Sequence, residues 1–132
     1  MADTVDSLVV FSGTKRYVVR LTNISDGTGE SAVTKVDRSA LIGPGGGVPT
    51  YLIVEKIEYA CDGMQVRLHW NDATDDEIAV LAGSGFFDWT DSGGIKHPQV
   101  PGAADEGDIV LTTNAHTAGD AYTVTLHLRL KD

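Results

Sequence analysis

The sequence predicts an all-β fold: an antiparallel β-sandwich, jelly-roll-like, of about eight strands. Three observations predict it. Apolar and polar residues alternate with a period of two through the clearest segments. Turn residues break that alternation at short, even intervals. No amphipathic helical stretch of ten residues and no internal repeat is found. A chain of 132 residues has room for one domain, read here as 1–132 with residues 1–7 set apart as an N-terminal arm.

The elements follow in order. Segment 6–12 is apolar through Leu8-Val9-Val10-Phe11. Segment 15–24 puts Tyr17, Val19 and Leu21 on one face, with Val18 and Ile24 on the other. Segment 30–37 is short and mixed. Segment 51–60 carries apolar residues on both sides, so it is covered twice or bulged. Segment 64–70 turns Met64, Val66, Leu68 and Trp70 inward, leaving Gln65, Arg67 and His69 outward. Segment 77–82 reads as a strand or one helical turn. Segments 86–89 and 108–113 are short strands. The C-terminal segment is the cleanest. Tyr122, Val124, Leu126, Leu128 and Leu130 point one way, while Thr123, Thr125, His127, Arg129 and Lys131 point the other. Asp62-Gly63 is hairpin turn chemistry, so 51–61 is expected to pair with 64–70. The last two strands are expected to pair likewise across Asn114–Asp120. Long loops run from Ser39 to Pro49 and from Thr90 to Glu106.

Composition excludes more than it suggests. Lys and Arg number 10 against 19 Asp and Glu, a formal charge of −9. Nucleic acid and anionic membranes both need a basic surface, so neither is expected as a partner. The longest apolar runs span about four residues, against about 20 for a membrane helix. Cys61 is the single cysteine, so no intrachain disulfide is possible. The N-terminus shows no secretory pattern, and synthesis in a reducing cytoplasm is expected. Most of the negative charge lies in residues 67–132, with eleven acids and four bases.

Each chemical motif has a plainer reading beside it. The acidic run 71–77 could offer calcium oxygens through Asp72, Asp75 and Asp76, but the helix–loop–helix calcium spacing is absent. The favoured reading is a solvated loop whose Asp residues cap a short turn or helix at Ile78. Gly43-Pro44-Gly45-Gly46-Gly47 lacks the Gly-Lys-Ser/Thr end of a phosphate loop, so it reads as an exposed loop. His69, His97, His116 and His127 are scattered without metal-ligand spacing. Gly83-Ser84-Gly85 falls short of a nucleophile elbow. No metal, cofactor or catalytic residue is therefore expected. Phe86-Phe87-Asp88-Trp89 differs. Phe87 and Trp89 share one strand face and Phe86 takes the other, so one of the two faces is partner surface or is covered by the following loop. Phe87, Trp89, Ile95, Pro44 and Val48 are the interaction residues singled out, on segments 86–97 and 43–49, with residues 1–7 as a third candidate surface.

Two stretches carry a resemblance. Gly107-Asp108-Ile109-Val110-Leu111-Thr112-Thr113 and Gly119-Asp120-Ala121-Tyr122 through Leu130 resemble the end of small β-rich virion structural proteins of tailed bacteriophages. The Tyr51–Trp70 region is similar in character, so the resemblance covers about half the chain. It implies a non-enzymatic capsid decoration (cement) protein located in the virion. It also implies a homo-oligomer, a trimer by preference, seated on a major capsid protein. A phage tail or fibre component is the alternative within that family. Outside it stand a carbohydrate-binding sandwich module and a cupin-like enzyme. The module would use Trp70, Trp89 and Tyr122, although Trp70 and Tyr122 fall on apolar faces. The cupin-like enzyme would need a His cluster that the spacing does not show.

Overall fold

The computed structural model describes residues 4–71, 76–96, 107–114 and 117–131. Among the described residues, nine strands are divided between two antiparallel sheets. They are β1 (Thr4–Ser12), β2 (Arg16–Ile24), β3 (Val33–Val36), β4 (Tyr51–Asp62), β5 (Gln65–Trp70), β6 (Asp76–Leu81), β7 (Ser84–Asp88), β8 (Ile109–Asn114) and β9 (Ala121–Lys131). The first sheet runs β1-β2-β9-β4-β7, and the second β3-β8-β5-β6. The all-β, jelly-roll-like sandwich expected from the alternation is what forms. Segment 77–82 is a strand, and β1 begins at Thr4, inside the segment read as an arm.

The core lies between the sheets. Leu126 and Leu128 of β9, Leu52 and Ile57 of β4, Leu68 and Trp70 of β5, and Ile109 and Leu111 of β8 are all buried there. Every inward residue expected on β9 is buried, as are Met64, Val66, Leu68 and Trp70. β4 is both covered twice and bulged. Leu52 to Glu55 are all buried, and the register slips between Val54 and Lys56. Segment 93–95 explains the outer cover. Ile95 bridges Val54, and a side chain at Gly94 (φ 86°) would strike Ile53 and the Val54 carbonyl.

Two pairings differ from expectation. β4 pairs β7 and β9, not β5, and β8 pairs β3 and β5, not β9. Asp62-Gly63 therefore carries the chain from one sheet to the other. Gly63 has a φ of 79°, and a side chain there would meet the Asp120 carboxylate, which in turn holds Thr117. Turn residues report a reversal of direction; they do not report whether the two flanking strands stay in one sheet.

His69 also departs from expectation. It lies on the outer face of β5 yet is buried, opposite Val110 of β8 and Glu77 of β6. A central strand has neighbours on both sides, and here they shield its outer face. Among the described residues, no helix is long and apolar enough to cross a membrane.

Candidate functional site

The most unusual region is the β1–β2 hairpin. β1 stands at the edge of the five-stranded sheet, hydrogen-bonded to β2 on one side. The register sorts its faces. Val5 lies opposite Asn23 and Val9 opposite Val19, so they share the inner face with the buried β2 residues. Leu8 lies opposite Arg20 and Phe11 opposite Val18, on the outer face. A bulge between Val9 and Phe11 sets Val10 out of register. Both faces are bare: Val5 is 48% exposed, Leu8 48%, Val9 47%, Val10 59% and Phe11 52%. On neighbouring β2, Val19 and Leu21 are fully buried. The four-stranded sheet thus covers β2 and stops short of β1.

Beyond Phe11 the turn 12–15 faces the loop at 40–42, and the two enclose a groove of about 280 Å³ lined by Gly13, Thr14, Leu41 and Ile42. Ile42 is exposed. Arg16, at the base of the turn, reaches Glu55 at 2.9 Å, and Arg129 approaches the same carboxylate at 3.6 Å. Glu55 is the residue that the β4 bulge displaces, so the bulge supplies the anchor for the hairpin.

A second polar cluster lies inside the sandwich. The Glu30 carboxylate accepts from the Tyr122 hydroxyl at 2.6 Å and from the Asn23 amide at 2.7 Å, and pairs with Lys35 at 2.5 Å. Both charged side chains are almost fully buried. The cluster ties the loop before β3 to β2, β3 and β9. A charged pair this deep is tolerable only because the carboxylate's remaining lone pairs are also satisfied.

The singled-out interaction residues do not form one cluster. Phe87 stacks between Tyr59 (5.6 Å) and Trp89 (5.3 Å), and all three pack half-buried against the core. Phe86 turns outward, with Lys56 5.6 Å from its ring. Ile95 is half-buried in its bridge to Val54. Pro44 and Val48 are exposed on a loop closed by Gly43–Gly47 and Gly46–Gly43 backbone hydrogen bonds and anchored where Arg38 donates to the Pro49 carbonyl. Nothing in the geometry brings these five together.

Cys61 lines a shallow cavity of about 260 Å³ with Ser84 and Tyr122. Burial pushes its thiol up to about 11, which disarms it as a nucleophile. On the exterior, Arg67 and Glu77 form a two-pronged ion pair that holds the Glu77 carboxyl below its ordinary range. Asp88 is likewise lowered, chiefly by accepting from the Thr90 hydroxyl and backbone amide.

No family model matches the chain, and no curated protein matches it. Solved structures do. A cupin superfamily protein from Desulfitobacterium hafniense DCB-2 is 11% identical, covering 100% of this chain and 82% of its own, with a TM-score of 0.38. Hydroxypropylphosphonic acid epoxidase from S. wedmorenis is 10% identical, with 85% and 42% covered and a TM-score of 0.34. An FeII HppE is 8% identical, with 93% and 56% covered and a TM-score of 0.36.

These matches correct the functional expectation. None of the three is a virion protein or a sugar-binding module, and an epoxidase and an iron protein are among them. They stand against the expectations of a capsid decoration protein, a tail fibre or a carbohydrate module, of no enzyme and of no cofactor. Likeness at this level concerns the arrangement of strands and transfers no activity. Iron of that kind needs clustered His and carboxylate ligands. Among the described residues no three of His, Cys, Asp or Glu are placed to hold an ion, and Val, Leu, Ile and Trp fill the interior. The described residues do not fit such a centre. Asp76 opens β6, while Asp72, Asp75, His97 and His116 lie outside the described residues.

Proposed function

We propose that this chain is a self-associating β-sandwich subunit that works as a homo-oligomer joined through β1. One observation carries the reading: β1 exposes apolar side chains on both faces along a free strand edge. Soluble proteins protect long edge strands with charges, prolines, bulges or covering elements, because a bare edge recruits another strand; β1 has one bulge, at Val10, and is otherwise regular from Thr4 to Val9. Here the run Leu8-Val9-Val10-Phe11 carries no charge and no proline. A neighbouring strand shields part of each half-exposed side chain, worth at most about 1 kcal/mol each, roughly half the value for complete burial of a Val, Leu or Phe. That sum, with the backbone hydrogen bonds of a paired edge, favours association over a solvated strand.

Light scattering coupled to size exclusion tests the reading. The expected mass is a multiple of 14.0 kDa that persists on dilution. Leu8→Asp combined with Val10→Asp is expected to return it to the mass of a single chain while the thermal transition is retained. A single-chain mass for the unaltered protein up to millimolar concentration overturns the proposal.

A further inference from the structure

We infer that β1 pairs with β1 of a second copy, antiparallel, about a two-fold axis close to Ser7 and Leu8. This rests on the assembly reading above and names its geometry.

Three observations select this partner. The first is length. Among the described residues, the edge strands of the sandwich are β1 with nine residues, β7 with five, β3 with four and β6 with six. Only another β1 matches β1 along its whole length; any other edge leaves part of the strand unpaired. The second is chemistry. β6 opens with Asp76 and Glu77, so it would set two carboxylates against the strip, where a second β1 sets only its single Asp6. The strip itself carries one charge, Asp6, near one end of the strand. In an antiparallel pair the two Asp6 side chains lie in different positions along the junction, and each faces apolar residues of the partner's far half. The third is the local charge. Two copies of a −9 chain repel, but the β1–β2 hairpin holds Asp6 against Lys15, Arg16 and Arg20. The copies therefore meet where their fields oppose contact least.

The pairing would join two five-stranded sheets into one continuous sheet and remove both β1 edges at once. A junction of this kind is self-complementary and closed, so it yields even-numbered assemblies.

Single-cysteine variants in a Cys61→Ser background test the geometry. Cysteines bridge only when their Cα atoms come within about 7 Å. Ser7→Cys or Leu8→Cys, at the axis, is expected to give a covalent dimer on mild oxidation. Ser12→Cys is expected to give at least about tenfold less, because its two copies would stand about 30 Å apart at 3.4 Å per residue. A protein that is oligomeric but shows equal or no bridging at Ser7, Leu8 and Ser12, or that has a trimeric mass, overturns the two-fold junction and leaves the assembly reading intact. A single-chain mass for the unaltered protein overturns both.

Discussion

β9 and β1 belong to the same sheet, are similarly long and carry comparable apolar content, yet their surroundings are opposite. β9 lies at the centre, paired with β4 along its whole length and with β2 from Ala121 to Arg129. Its inward residues Val124 and Leu126 have no exposed surface. β1 lies at the edge, and its apolar residues stay about half exposed on both faces. The difference teaches that apolar content does not decide burial; what decides it is whether a second layer lies opposite. The first sheet has five strands and the second four, and β1 is the strand left over.

The largest expected effects fall where the interior is most dependent on pairing. Lys35→Ala strands the Glu30 carboxylate beside Tyr122 and Asn23, and should cost about 3–5 kcal/mol in denaturant unfolding. Leu126→Ala leaves a cavity under the centre of β9 and should cost about 2–5 kcal/mol by the same measurement. Tyr122→Phe removes one hydrogen bond to a charged group and should cost about 1.5–3 kcal/mol. Leu8→Ala, chemically the same change as Leu126→Ala, should cost under about 0.5 kcal/mol in dilute protein and show itself instead in the assembled mass. Equal losses for the two Leu→Ala variants would break the comparison.

The smallest effect belongs to the exterior pair. Glu77 is held below its ordinary value of 4.5 by the hydrogen bond from Arg67. A carboxyl lowered on folding contributes stability above its unfolded value and loses it as pH falls through the folded one. The melting difference between the unaltered protein and Glu77→Gln should therefore be present at pH 7 and vanish as the solution is acidified well below pH 4.5.

Much of the fold was legible in the sequence. Five consecutive inward positions on β9 and four from Met64 to Trp70 each marked a strand with one buried face. The sheet assignment was not. Asp62-Gly63 looks the same whether β4 and β5 share a sheet or face each other across the core, because turn chemistry is local and sheet membership is not. The candidate site was legible only in part. Leu8 to Phe11 read as a strand, but an apolar run looks identical under cover and at an edge. Glu30 gave no signal at all, since its hydrogen-bond partner Tyr122 lies 92 residues away in sequence. Phe87 and Trp89 were correctly assigned to a common face; that this face packs on the core required the second sheet.

The strand order also has a consequence for synthesis. β9 is made after the eight other described strands, yet it fills the gap between β2 and β4. Until it emerges from the ribosome, β2 and β4 each keep a bare edge, and the larger sheet exists only as separate pieces. Long-range pairing of this kind is slow to form and exposed to aggregation while it waits. A nascent chain stalled before residue 121 would hold most of the core residues and none of the strand that unites them.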